Sequence, residues 1–129
     1  MKQIVGFLGA AVVLAALAAC SDPLNSDCST LHAYVAVVAL DTSHTPVSGL
    51  VIADTVIRTG EAVTVQQINL PAGTYVVFDD GSKNSIRPTG DAVRVVGVLG
   101  PAQFSATFVI GMQGCHVHKI SGPDTVIVQ

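Results

Sequence analysis

The sequence predicts an all-β protein: an antiparallel, immunoglobulin-like β-sandwich of about seven strands, placed after an N-terminal export segment. Three observations carry that reading. From residue 31 onward the apolar residues come in short runs rich in Val, Ile, Thr and Ala. Clusters of Gly, Pro, Asp, Asn and Ser cut these runs at roughly ten-residue intervals, as sandwich connections do. No segment of this part repeats its apolar residues at the three- and four-residue spacing of an amphipathic helix. A small closed barrel satisfies the same pattern and is the alternative.

Residues 31–40 open the series with Ala and Val in both phases, which suits a strand covered on both faces or lying at a sheet centre. Asp41-Thr42-Ser43-His44-Thr45-Pro46 ends it with turn chemistry. Residues 47–57 form a second β-branched run, closed by Arg58-Thr59-Gly60-Glu61. In residues 62–70, Val63 and Val65 share one phase and Ile68 and Leu70 the other, so the slip at Gln66-Gln67 predicts a bulge or two short pieces. In Pro71-Ala72-Gly73 the proline presets φ and the glycine supplies the positive φ of a type II turn, delivering residues 74–78 as the next strand. Asp79-Asp80-Gly81-Ser82-Lys83-Asn84 reads as a hairpin loop. Residues 85–88 read as a short edge piece, because Pro88 has no N–H to give a central ladder. Residues 93–99 are a strand and Gly100-Pro101 a break. Residues 104–110 show the cleanest alternation, with Phe104, Ala106, Phe108 and Ile110 inward and Ser105 and Thr107 outward. Residues 115–120 and 125–128, either side of Ser121-Gly122-Pro123-Asp124, complete the set.

Before all this, Met1-Lys2 leads into an almost wholly apolar run over residues 4–16. It is too short for the roughly 20 residues of a spanning helix and is followed by small residues, the pattern of a secretory signal. It ends in Leu17-Ala18-Ala19-Cys20, which resembles a bacterial lipobox. The resemblance implies cleavage before Cys20 and lipidation of its thiol. Residues 1–19 are then a removed signal peptide, residues 20–30 the lipidated cysteine with a polar tether, and residues 31–129 the domain. It implies a membrane partner through the lipid and a cell-envelope location. Ser21, rather than Asp, after the cysteine is similar to the enterobacterial pattern sorted to the outer membrane. With Cys20 given to lipid, Cys28 and Cys115 are the remaining pair, and an exported, oxidising setting predicts a disulfide between them. Closing so long a loop stabilises by roughly 4–5 kcal/mol in the chain-entropy model.

Thr45-Pro46-Val47-Ser48-Gly49-Leu50-Val51, followed by Asn69-Leu70-Pro71-Ala72-Gly73-Thr74-Tyr75-Val76-Val77, resembles the carboxypeptidase regulatory-like domains, sandwiches of transthyretin-like (prealbumin) topology. The resemblance implies a folding, docking or adhesive accessory without the zinc peptidase part. The hydroxyisourate hydrolases of the same fold end in Tyr-Arg-Gly-Ser, whereas this chain ends Thr125-Val126-Ile127-Val128-Gln129, so their activity is not implied.

Without the signal segment the chain carries five Lys/Arg against nine Asp/Glu, a formal −4. Scattered cations on an acidic chain lacking Trp give no basic stripe for phosphates, which argues against nucleic acid as a partner. The sharpest chemical signal is Cys115-His116-Val117-His118-Lys119. Two histidines two apart on a strand share a face and reach one metal ion, with His32 the natural recruit once a Cys28–Cys115 bridge draws the first strand near. Two ligands do not close a site, and the other reading places both imidazoles on a solvated face beside Lys119. Asp79, Asp80 and Asn84 around Gly81 offer oxygen ligands but lack the spacing and closing carboxylate of a calcium loop, so a plain turn is the expectation. No Gly-x-Ser-x-Gly elbow or comparable context surrounds any serine, so no catalytic set is expected. The chain therefore reads as a non-enzymatic, lipid-anchored binding, adhesion or structural module, with no cofactor. A periplasmic metal-binding protein using His116 and His118, and an accessory subunit docking onto an envelope protein complex, are the alternatives.

Overall fold

The computed structural model describes residues 28–129. The expected lipidation site at Cys20, the signal peptide and most of the tether lie outside them. Among the described residues eight strands form: β1 Tyr34–Leu40, β2 Val51–Val56, β3 Glu61–Val63, β4 Thr74–Asp79, β5 Asp91–Leu99, β6 Ala102–Gln113, β7 His116–Ser121 and β8 Thr125–Ile127. They make an all-β sandwich of a three-stranded sheet, ordered β4-β1-β8, and a five-stranded sheet, ordered β3-β2-β5-β6-β7. All pairs are antiparallel except β1 with β8, which run parallel. The core lies between the sheets. Val35, Val37 and Ala39 of β1 and Val77 and Phe78 of β4 meet Val56, Val93, Val95, Phe108 and Ile110 of the facing sheet. The alternation expected on β6 is present, with Phe104, Phe108 and Ile110 buried and Ser105 and Thr107 exposed.

The second strand starts at Val51 rather than at residue 47, and four further elements differ from the sequence expectation. The first strand starts at Tyr34, not at residue 31, because the backbone of Ala33 is already engaged by Asp80 and Leu31 projects into solvent. Residues 62–70 give only the short β3. Beyond it, Gln67 turns its side-chain amide onto the free edge of β4, donating Nε2–H to Val76 C=O (2.8 Å) and accepting from Val76 N–H (2.9 Å). The slip at Gln66-Gln67 is thus neither a bulge nor a second strand piece; a side chain replaces a strand. Residues 79–84 are not a hairpin loop, since β4 and β5 belong to different sheets and a 3-10 turn over Asp80–Ser85 carries the chain across. Residues 85–88 form no edge strand, and Ile86 is buried in the core instead.

The two motifs flanking β2 and opening β4 meet in space. Gly73 adopts φ +77°, and a Cβ there would lie 2.7 Å from Pro46 Cβ and 2.9 Å from Ala39 C=O, so only glycine fits between them. Two residues on, the buried Tyr75 donates its hydroxyl to Val47 C=O (2.7 Å) and accepts from Leu50 N–H (3.1 Å). The bend at 46–50 is thereby tied to the turn at 71–74.

Two buried carboxylates mark opposite solutions to one cost. Asp91 is enclosed by Arg58, which donates through Nε and Nη2 at 2.9 and 2.8 Å, and by the backbone and guanidinium of Arg87. The Arg58 hydrogen bonds lead in holding its pKa far below the ordinary carboxylate value. Asp54 lies on the inward face of β2, opposite Val63 and Val95 and between Ile52 and Val56 along the strand. Among the described residues its Oδ1 has no hydrogen-bond partner. Desolvation raises its pKa to about 7. A raised carboxyl pKa means that the folded state binds the proton more tightly than the unfolded chain. Asp54 therefore costs nothing when both states are protonated and costs progressively more as pH rises from about 4 to about 7. Denaturant melts across pH 4.5–8 should show stability falling by at most about 4 kcal/mol from this source. Asp54→Leu should flatten that slope and exceed the wild type in stability at pH 8.

Candidate functional site

The disulfide end of the sandwich gathers the polar side chains that the core excludes. Cys28 is bonded to Cys115, with Cα atoms 5.4 Å apart across 87 residues of sequence. Cys115 is not on a strand but in the turn between β6 and β7, where Gly114 takes φ +61°. The bridge carries the segment before β1 to the start of β7. It thereby sets the residue after one half-cystine, Ser29, beside the residue after the other, His116, with Ser29 Oγ 3.2 Å from His116 Nε2.

Asp80, the first residue of the 3-10 turn, anchors the other side of the imidazole. Its Oδ2 lies 2.6 Å from His116 Nδ1 and accepts from Ala33 N–H (2.9 Å), while Oδ1 accepts from Val117 N–H (2.8 Å). Burial pushes the Asp80 carboxyl up, but the hydrogen bonds from Ala33, His116 and Val117, together with the imidazole's charge, outweigh it. The net pKa lies below the ordinary carboxylate value. Since an ionised carboxylate only accepts, Nδ1 is the donor to Asp80, and whenever the ring is neutral Nε2 is left as the acceptor facing the Ser29 hydroxyl. His32 Nε2 sits 3.7 Å from Oδ2 of the buried Asp79, and Lys83 Nζ reaches Cys115 C=O at 3.4 Å. Ser29, His32, Asp80, Lys83 and His116, with the disulfide, line an open cleft of about 380 Å³.

His32 and His116 are brought to one cleft, whose lining does not include His118. Both ring nitrogens of His116 are engaged by Ser29 and Asp80, whereas Nδ1 of His118 is buried without a hydrogen-bond partner among the described residues. Lys119 pairs with Asp124. Among the described residues no group of three His, Cys, Asp or Glu side chains is placed to hold one metal ion. Asp79 and Asp80 turn to different histidines, so the loop they begin does not present them as joint calcium ligands. Ser29 and Lys83 carry no motif of their own. Ser29 is legible only after the Cys28–Cys115 bond is drawn, when the residues following each half-cystine become neighbours. No protein-family model matches the chain, and no curated protein or solved structure matches it either.

Asp80→Asn retains size but leaves the donors of Ala33, Val117 and His116 with one carbonyl acceptor. It should lower stability at pH 7 by about 2 kcal/mol. A depressed carboxyl pKa contributes stability that is present above the ordinary carboxylate value and is lost as pH falls below it. The wild type should therefore converge on the variant in denaturant melts as pH falls below about 4, the ordinary carboxylate value.

Proposed function

We propose that this chain is a lipid-anchored β-sandwich of the bacterial cell envelope, held by a diacylglyceryl group on Cys20, that binds its partner or ligand at the cleft beside the disulfide. The observation that carries this is where the tether arrives. Ser21 to Asp27 lead directly into Cys28, whose bond to Cys115 forms the wall of the cleft. Seven residues lie between the cysteine proposed to carry lipid and Cys28, and at roughly 3.3–3.6 Å per residue the eight steps span under about 30 Å. The cleft is therefore the membrane-proximal end of the domain, and an outer-membrane position suits Ser21. A disulfide at that point suits export, where the bond persists.

The likeness to carboxypeptidase regulatory-like domains belongs to the same reading. The two stretches that carry it pack on each other through Pro46, Gly73 and Tyr75, which supports a structural role for both. An accessory module of that kind presents a surface to a neighbour rather than standing alone.

Cys20→Ser should move the protein from the membrane fraction to the soluble envelope fraction, with its strand content unchanged by circular dichroism. Retention of the variant in the membrane fraction overturns the anchor.

A further inference from the structure

The cleft holds a chemical arrangement that binding alone leaves unused. Ser29 Oγ, His116 and Asp80 are connected in series, at 3.2 Å to Nε2 and 2.6 Å from Nδ1 to the carboxylate. That is the order in which an imidazole takes a proton from a hydroxyl and a carboxylate fixes the ring and its tautomer. We propose that Ser29 is a nucleophile, with His116 as its general base and Asp80 as the positioning residue, and that the cleft hydrolyses small carboxylic esters. The inference goes beyond the binding module of the preceding subsection and is independent of the lipid anchor.

Exposure is graded along the relay as the chemistry requires. The Asp80 side chain is 10% exposed, the His116 side chain 25%, and Ser29 lies open at the cleft mouth. A carboxylate shielded from water orients the ring, while the hydroxyl remains reachable by a substrate. Fold stability does not account for the outer link. Asp80 already joins the segment before β1 to β7 through Ala33 and Val117, and the contact of Ser29 with His116 adds no further element to that junction. Lys83 puts an ammonium on the wall of the same cleft, where an oxygen acquiring negative charge finds a cation. The cleft is open and holds only about 380 Å³, with the exposed Leu31 beside the polar groups of Ser29, His32 and Lys83, which favours a compact ester over a long acyl chain.

In the first half-reaction, Ser29 Oγ bonds to the carbonyl carbon as its proton passes to His116 Nε2. The tetrahedral oxygen carries the negative charge towards Lys83. Collapse breaks the bond to the alcohol oxygen, and the alcohol leaves with the proton from Nε2. Water then attacks the acyl-Ser29 ester by the same route, releasing the carboxylic acid and restoring the hydroxyl. No oxidant, reductant or metal enters the balance.

The test is to treat the purified full-length chain with a fluorophosphonate probe, locate the adduct by peptide mass spectrometry, and follow p-nitrophenyl acetate hydrolysis in parallel. Phosphonylation with loss of fluoride is expected on Ser29. S29A should abolish both signals at an unchanged melting temperature, since the side chain is exposed. H116Q should slow labelling by at least about 100-fold. S43A, in the exposed turn after β1, should label like the wild type. An adduct absent from Ser29, or ester hydrolysis by S29A at the wild-type rate, overturns the proposal. Neither result bears on whether Cys20 carries lipid.

Discussion

The carboxylate of Asp80 accepts three hydrogen bonds, from the N–H of Ala33, the N–H of Val117 and Nδ1–H of His116, and the two sheets are registered on it. Ala33 leads into β1 at the centre of the three-stranded sheet, and Val117 lies on β7 at the edge of the five-stranded one. Apolar contact between sheets is non-directional and tolerates sliding. A charged acceptor with donors from both sides does not, because displacement leaves partly buried N–H groups unpaired. Asp80 sits at the chain's crossing from β4 to β5, so one residue fixes both the crossover and the register. The Cys28–Cys115 bond joins the same two elements covalently a few residues away, and its stabilisation comes largely from restricting the unfolded chain.

Sheet edges are managed by equally local means. β4 is the edge of the smaller sheet, and its outward-facing Val76 backbone is occupied by the Gln67 amide, which leaves that stretch unavailable for pairing with another chain. At the opposite edge β8 crosses to pair with β1 in parallel, and Gln129 exchanges two backbone hydrogen bonds with Gln103 of β6. The smaller sheet is thereby joined to the larger by main chain at one edge and capped by a side chain at the other.

What the sequence made legible follows from which forces act locally. Strands with clean alternation or turn chemistry at both ends, such as β5 and β6 around Gly100-Pro101, lie close to where periodicity puts them. The disulfide follows from counting cysteines once the first is assigned elsewhere. Sequence patterning fails where a long-range polar partner competes with strand propensity. Gln67 and Asp80 act through contacts that periodicity does not encode, and each displaces a strand or hairpin expected nearby. The candidate site was legible only in pieces. His116 and His32 stand out as histidines, whereas Ser29 is an unremarkable tether residue until the cross-link gives it a neighbour 87 positions away.

That dependence on the cross-link also orders events in the life of the chain. Ser29 follows Cys28 directly and belongs to no strand, so the bond to Cys115 is the main restraint holding its hydroxyl near the imidazole. Asp80, His116 and Val117 need no such help, because strand pairing and buried hydrogen bonds place them. In a reducing compartment, where thiols stay free, the Asp80–His116 pair is therefore formed while the Ser29 segment is left unrestrained. Oxidation of Cys28 and Cys115 to the bridge adds the last member. The result is a site whose rigid half is built by folding and whose exposed half is built by redox chemistry, with the hydroxyl delivered only where the bridge persists.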